Sequence, residues 1–113
     1  MPHRLTSDFW VSAYLRRCAI SGAPAMLRRR GAADAGAIFI KVDRLDGQAS
    51  LFGPAPQSLY DDDASDRRFA RLHEADTIDA TAAEERMKKE IRFDPDLWFV
   101  EVEDRAGRDF LGD

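Results

Sequence analysis

Apolar residues recur at helical spacing near the start of the chain. Val11, Leu15 and Cys18 stand three or four positions apart, which is the spacing of one face of an α-helix. Ser7 is a good residue to cap the start of such a helix, and Gly22 can supply the left-handed turn that ends it. The pattern therefore predicts a first helix from Ser7 to about residue 21.

A second helical pattern lies in the last third of the chain. Its apolar face has three residues four positions apart: Ala83, Met87 and Ile91. Thr81 and Glu84 match a capping box, although Thr77 or Asp79 could start the helix earlier. Pro95 ends the pattern, because the residue before a proline is disfavoured in the helical region. We predict a second helix that ends before residue 95.

Residues 37–53 have the alternation of a β-hairpin instead. Two sets of side chains alternate along residues 38–43. The first set is Ile38, Ile40 and Val42, and the second is Phe39, Lys41 and Asp43. The dipeptide Asp46-Gly47 favours a two-residue hairpin turn. With that turn, Val42 lies opposite Leu51 and Lys41 lies opposite Phe52. Leu51 is thus expected on the core face and Phe52 on the opposite face.

Residues 98–103 alternate in the same way. Trp98, Val100 and Val102 form one set, and Phe99, Glu101 and Glu103 form the other. This pattern predicts a last strand with its core side toward the first set. Shorter strands are expected in residues 25–31 and 67–72, where turn residues bound short segments.

Together these elements predict an α+β domain that spans residues 1–113. Its expected order is an N-terminal helix, an antiparallel meander of three or four strands, a second helix, and a C-terminal strand that joins the sheet. Both helices are expected to cover the sheet face that holds Ile38 and Val100. Residues 54–66 combine prolines with an acidic cluster and predict a flexible surface loop.

Composition restricts the class of protein. No apolar run has the length of a signal peptide or a membrane span, so we expect a cytoplasmic protein without membrane contact. Cys18 is the only cysteine, which excludes an intrachain disulfide. Residues 1–44 carry eight basic and three acidic side chains, within a net charge of -4 for the chain. We expect the two halves to attract; the alternative is a basic patch for an anionic partner.

Catalytic patterns are weak throughout the chain. The acidic loop residues Asp61, Asp62, Asp63 and Asp66 could bind a divalent cation, but their spacing is not that of an EF-hand. Pro95-Asp96 followed by Glu101 has a superficial likeness to metal-dependent nucleases, yet the lysine of that pattern is missing. We predict no cofactor, no metal site and no catalytic residue, and whether the protein is an enzyme stays open.

The two long extended segments carry a family resemblance. AGAIFIKVDRLDG at 35–47 and RFDPDLWFVEVEDR at 92–105, together with the N-terminal helix, resemble a family of small bacterial proteins catalogued as domain of unknown function 1491. The likeness spans nearly the whole chain. It implies a compact, single-domain bacterial protein of uncharacterised role, and it supplies no catalytic residues.

The leading functional hypothesis concerns the sheet face away from the predicted core. Five of its side chains are predicted to form an interaction or homodimerisation surface: Phe39, Lys41, Phe52, Phe99 and Glu101. This mixture is too charged for a core and more aromatic than a solvated face needs. The alternative is that the long charged side chains drape over the phenylalanines.

Two other hypotheses remain. An arginine patch could bind nucleic acid through five residues: Arg16, Arg17, Arg28, Arg29 and Arg30. The acidity of the whole chain disfavours it. The third and weakest hypothesis is a metal-dependent hydrolase.

Overall fold

The computed structural model describes residues 5–56 and 67–112. Its elements follow in the order α1 (Ser7–Ile20), β1 (Ala25–Arg29), β2 (Ile38–Asp43), β3 (Gln48–Pro54), β4 (Phe69–Arg71), β5 (Ile78–Asp79), α2 (Ala80–Phe93) and β6 (Trp98–Glu103). The predicted α+β class and the order of helices and strands are confirmed. Residues 57–66, which include most of the predicted acidic loop, lie outside the described residues.

The residue that caps α1 lies one position before the predicted cap, Ser7. Thr6 is the cap, and its hydroxyl oxygen accepts a hydrogen bond from the backbone N–H of Phe9 at 3.2 Å. Ser7 is buried, and its hydroxyl donates to the carbonyl of Gly36 at 2.6 Å. Ser7 therefore attaches the helix to the loop before β2 instead of capping it.

The sheet is mixed, in the strand order β1-β6-β2-β3-β4, with β5 paired to β3. β2, β3 and β4 form the predicted antiparallel meander. β6 joins the interior of the sheet, where it pairs antiparallel with β1 and parallel with β2. A parallel pair needs a long crossover connection, and here the connection contains α2. The last strand is thus a central strand.

The two helices cover opposite faces of this sheet. From α1, Val11, Tyr14 and Cys18 pack in one cluster with Ile38 and Val100. From α2, Met87 packs in a second cluster on the other face; its buried neighbours are Phe39, Leu51, Leu97 and Phe99. The expectation that both helices share the Ile38 face is wrong, because the second apolar cluster also needs a covering layer.

The register of the β2–β3 hairpin is one residue away from the prediction. Lys41 lies opposite Leu51, and Val42 lies opposite Ser50. The loop therefore has three residues, 45–47, with Leu45 at φ 66 and Gly47 at φ 88. A one-residue slip exchanges the two faces of a strand. As a result Leu51 packs beneath α2, and Phe52 packs against the α1 cluster.

Candidate interaction surfaces

The aromatic face predicted for interaction lies beneath α2. Phe39 and Phe99 share this face as the alternation indicated, but only 8% and 3% of their surface is exposed. Lys41 beside them is 4% exposed. Phe52 lies on the opposite face of the sheet because of the hairpin register. The expectation of an open aromatic surface is therefore corrected: α2 covers it.

The charged residues of that face attach α2 to the sheet. Lys41 donates from Nζ to Oε2 of Glu84 at 2.7 Å and lies 3.8 Å from Glu101. Arg28 holds both carboxylate oxygens of Glu84, at 2.8 and 2.9 Å, and also reaches Glu101 at 2.7 Å. Bidentate arginine–carboxylate pairs are among the strongest polar contacts in proteins. Lys41 and Glu101, predicted as docking residues, are thus part of an internal network.

The arginines predicted as an anion-binding patch are dispersed. Four of them interact with groups of this chain: Arg17 with the carbonyl of Phe110, Arg28 with Glu84 and Glu101, Arg29 with the carbonyl of Pro95, and Arg30 with Asp8. Arg28 stacks over Phe99 on the α2 side, whereas Arg30 stacks over Trp98 on the α1 side. The fifth, Arg16, is exposed on the outside of α1. The five charges do not form one surface.

The outer face of α1 is an exposed apolar surface. Phe9 is 61% exposed and Ile20 is 76% exposed, and Leu5 just before the helix is 47% exposed. These residues lie opposite the buried Val11 and Cys18. Sequence reasoning assigned only the buried face. The missed signal is that apolar residues occur all around this helix, which is unusual for a helix with a solvated side.

A shallow groove runs along this outer face. It has a volume of about 620 Å³ and is lined by Thr6, Asp8, Phe9, Ser12, Ala13 and Arg16. Asp8, Ser12 and Arg16 are four residues apart and form one ridge of the helix, while Phe9 and Ala13 begin the next ridge. The small residues Ser12 and Ala13 lie at the centre of the face. A second helix could therefore approach closely at this point.

A family model described as "Protein of unknown function (DUF1491)" matches residues 5–112. The chain belongs to this family. The resemblance of the two extended segments is thereby confirmed. A search of curated proteins finds no match to this DUF1491 chain.

Solved structures agree with this DUF1491 assignment. The chain is 40% identical to protein Atu0922 from A. tumefaciens, with a TM-score of 0.75 over 88% of this chain and 86% of that one. It is 37% identical to a DUF1491 family protein from Caulobacter crescentus. The crystal structure of that protein gives a TM-score of 0.77 and covers 95% of this chain and 92% of its own. An NMR structure of a DUF1491 family protein from Caulobacter crescentus is also 37% identical. It gives a TM-score of 0.77 and covers 96% of this chain and 94% of its own.

Metal sites and membrane-spanning helices were also considered for this DUF1491 chain. Across residues 5–56 and 67–112, no group of three or more His, Cys, Asp or Glu side chains is arranged to hold a metal ion. The acidic residues considered as cation ligands, Asp61 to Asp63 and Asp66, lie outside that range. The described part also contains no helix of the length and hydropathy needed to cross a membrane.

The network around Glu84 predicts a loss of stability in acid. Hydrogen bonds from Arg28 and then Lys41 lower the pKa of Glu84 from 4.5 to about 2. A depressed carboxylate pKa stabilises the fold above the unfolded value, and this stabilisation is lost as pH falls toward the folded value. After allowance for partial solvent exposure, we expect a loss of about 2 kcal/mol between about pH 5 and pH 2.

Urea unfolding at a series of pH values measures this dependence. The Glu84→Gln variant serves as the control, because it lacks the titrating group and keeps nearly the same shape. Its unfolding free energy should fall less with acid than that of the wild type. Parallel pH profiles for the two proteins would contradict the role of Glu84.

Proposed function

We propose that this DUF1491 protein is a non-enzymatic protein-interaction module, and that it binds an α-helix of its partner through the outer face of α1. The observation that carries the proposal is the exposure of Phe9 and Ile20 on one side of a helix whose other side is fully packed. Exposed apolar residues that are grouped on one surface are typical of interaction sites.

The shape of the outer face favours a helix as the bound element. The residues that line the groove lie between Thr6 and Arg16, so the groove follows the helix for roughly 15 Å at about 1.5 Å per residue. Ridges of side chains spaced four residues apart pack into the grooves of another helix. Burial of Phe9 and Ile20 would contribute on the order of 3 kcal/mol, since both are already partly shielded. Asp8 and Arg16 at the edges would select a partner helix that carries both charges.

The other two hypotheses have weaker support. Nucleic-acid binding needs a continuous basic surface, but Arg28 and Arg30 interact on opposite sides of the sheet. Hydrolysis needs a catalytic group. The charged side chains Lys41 and Glu84 lie close together, but they bind each other in the network that attaches α2 to the sheet. We propose the cytoplasm as the location, where a buried free thiol such as Cys18 is stable.

Site-specific photo-crosslinking in the bacterial host tests the proposed function. The photoreactive amino acid benzoylphenylalanine replaces Phe9, so that an aromatic ring is kept at the site. We expect an adduct with a protein, in which the crosslink maps by mass spectrometry to a helical peptide. An Ile20→Asp substitution in the same chain should reduce the adduct at least about tenfold, because it places a charge in the apolar contact.

Phe93 offers a matched control position. It is also an exposed phenylalanine, at 89%, but it lies at the end of α2 and away from the α1 groove. Benzoylphenylalanine at position 93 should not give the same adduct. A specific site on α1 would be contradicted if positions 9 and 93 gave the same adduct in equal yield. It would also be contradicted if Ile20→Asp left the yield of the adduct from position 9 unchanged.

A further inference from the structure

The outer face of α1 is self-complementary in charge. From it we infer that the bound helix is α1 of a second copy of this chain, in an antiparallel pair with its two-fold axis at Ser12. This inference rests on the proposed function and names its partner.

The positions of the two charges carry the inference. Asp8 and Arg16 line the same groove and lie four residues before and four residues after Ser12. Within one helix they are about 12 Å apart along the axis and too distant to pair with each other. When two copies of α1 pack antiparallel about Ser12, Asp8 of each copy lies opposite Arg16 of the other. The same contact then forms twice, as a two-fold interface requires.

The apolar residues of the face follow the same symmetry. Leu5 and Ile20 mark the two ends of the exposed stripe and lie nearly equidistant from its centre, so the antiparallel arrangement brings one against the other. Ser12 and Ala13 at the centre are small enough for the two helix backbones to approach. Phe9 would then pack over the small residues of the partner copy, beside its Arg16, where a cation–π contact is favourable.

The existing partner of Asp8 does not prevent this contact. Arg30 lies 3.5 Å from Asp8 within the chain, and their side chains are 66% and 52% exposed. Exposed ion pairs of this kind contribute little, and a carboxylate can accept from more than one donor. One face of a 14-residue helix is smaller than a standard interface. The dimer is therefore weak, with a dissociation constant of about 10 μM to 1 mM.

Complementary charge reversal on the full chain tests both the partner and the direction of packing. Sedimentation velocity is measured on the wild type, Asp8→Arg and Arg16→Asp up to about 1 mM. We expect a concentration-dependent dimer for the wild type and a dissociation constant at least about tenfold higher for each variant, because like charges then meet twice. A 1:1 mixture of the two variants should recover the dimer, since each arginine then faces an aspartate.

Two further variants control for net charge and folding. Lys89→Asp and Glu74→Arg make the same changes in charge at exposed positions away from α1, and both should dimerise like the wild type. Circular dichroism confirms that every variant is folded. If both reversals dimerise like the wild type, or if the wild type dimerises but the mixture does not recover, the antiparallel contact is overturned.

The result for the wild type separates this inference from the proposed function. A wild type that stays monomeric at about 1 mM overturns the second copy as partner. If the adduct from position 9 then maps to a helix of another protein, the interaction function stands without it. If no Ile20-dependent adduct forms either, both proposals fail.

Discussion

Replacement of Glu84 by alanine is expected to lower the free energy of unfolding by about 3 kcal/mol, because it leaves a buried charge without its nearest partner. Lys41 is 4% exposed, and within residues 5–56 and 67–112 its shortest carboxylate contact is with Glu84 at 2.7 Å, against 3.8 Å to Asp43 and Glu101. The same substitution removes both hydrogen bonds that Arg28 makes to α2. Urea unfolding, followed by circular dichroism, measures the loss.

Two comparisons give this prediction its specificity. Glu85 is the next residue on α2 and its side chain is 71% exposed, so Glu85→Ala should change stability by less than about 0.5 kcal/mol. Combining Glu84→Ala with Lys41→Met removes the buried charge that has lost its partner. The double variant should therefore recover a large part of the lost unfolding free energy. Equal effects of Glu84→Ala and Glu85→Ala, or a double variant less stable than Glu84→Ala alone, would show that the network does not hold α2.

The Gly31→Ala substitution is expected to lower the free energy of unfolding by about 3 kcal/mol, because the added methyl group would clash with the backbone of another segment. A Cβ atom at Gly31 would lie 2.2 Å from the carbonyl oxygen of Asp96 and 2.6 Å from the carbonyl carbon of Leu97. These are backbone atoms, so no flexible side chain can move aside. The adjacent N–H of Ala32 donates to the same carbonyl of Asp96 at 2.9 Å, which holds the two segments together.

Gly112→Ala provides the matched control, because apart from its chain neighbours no atom of the described residues lies within 4 Å of the position that its new methyl group would take, and its backbone needs no left-handed angle. Chemical unfolding should show no change for it. If Gly31→Ala does not accumulate as soluble protein while Gly112→Ala does, that outcome also agrees with the clash. Unchanged stability of Gly31→Ala would contradict the close approach of the two segments.

Periodicity was sufficient to predict the two helices and the alternation of the long strands, but not the short strand β5. The helices at Ser7–Ile20 and Ala80–Phe93 and the strand at Trp98–Glu103 agree with their apolar spacing. Periodicity could not locate the neighbours of a strand. The position of β6 between β1 and β2 depends on contacts between distant parts of the chain, and no local pattern encodes them.

The burial of the predicted aromatic surface also depends on contacts between distant parts of the chain. A run of apolar residues leads into each of β2 and β6 before charges appear, AIFI at 37–40 and LWFV at 97–100. Such runs are typical of strands buried on both faces. The charges that follow, Lys41 and Glu101, suggested a solvated face. Their burial depends on Glu84 and Arg28, which come from other elements and are not adjacent in sequence.

The hairpin and the α1 surface show two further kinds of missing information. The Asp46-Gly47 dipeptide favoured a two-residue turn, but Leu45 also adopts a left-handed angle and lengthens the loop. For α1, the spacing of Val11 and Cys18 identified the packed side correctly. It left out Phe9 and Ile20 on the opposite side, whose apolar side chains were the available signal that α1 has a second surface to cover.

The central place of β6 sets an order for biosynthesis. A nascent chain on the ribosome can form α1 and the β2–β3 hairpin early, but β1 cannot join the sheet of β2 until residues 98–103, which pair with both strands, leave the exit tunnel. Domains generally complete their folding only after all of their segments have emerged. Translation that stops before Trp98 would therefore release a chain in which β1 has no partner strand and β2 has an unpaired edge, and such a chain is a substrate for chaperones and proteases.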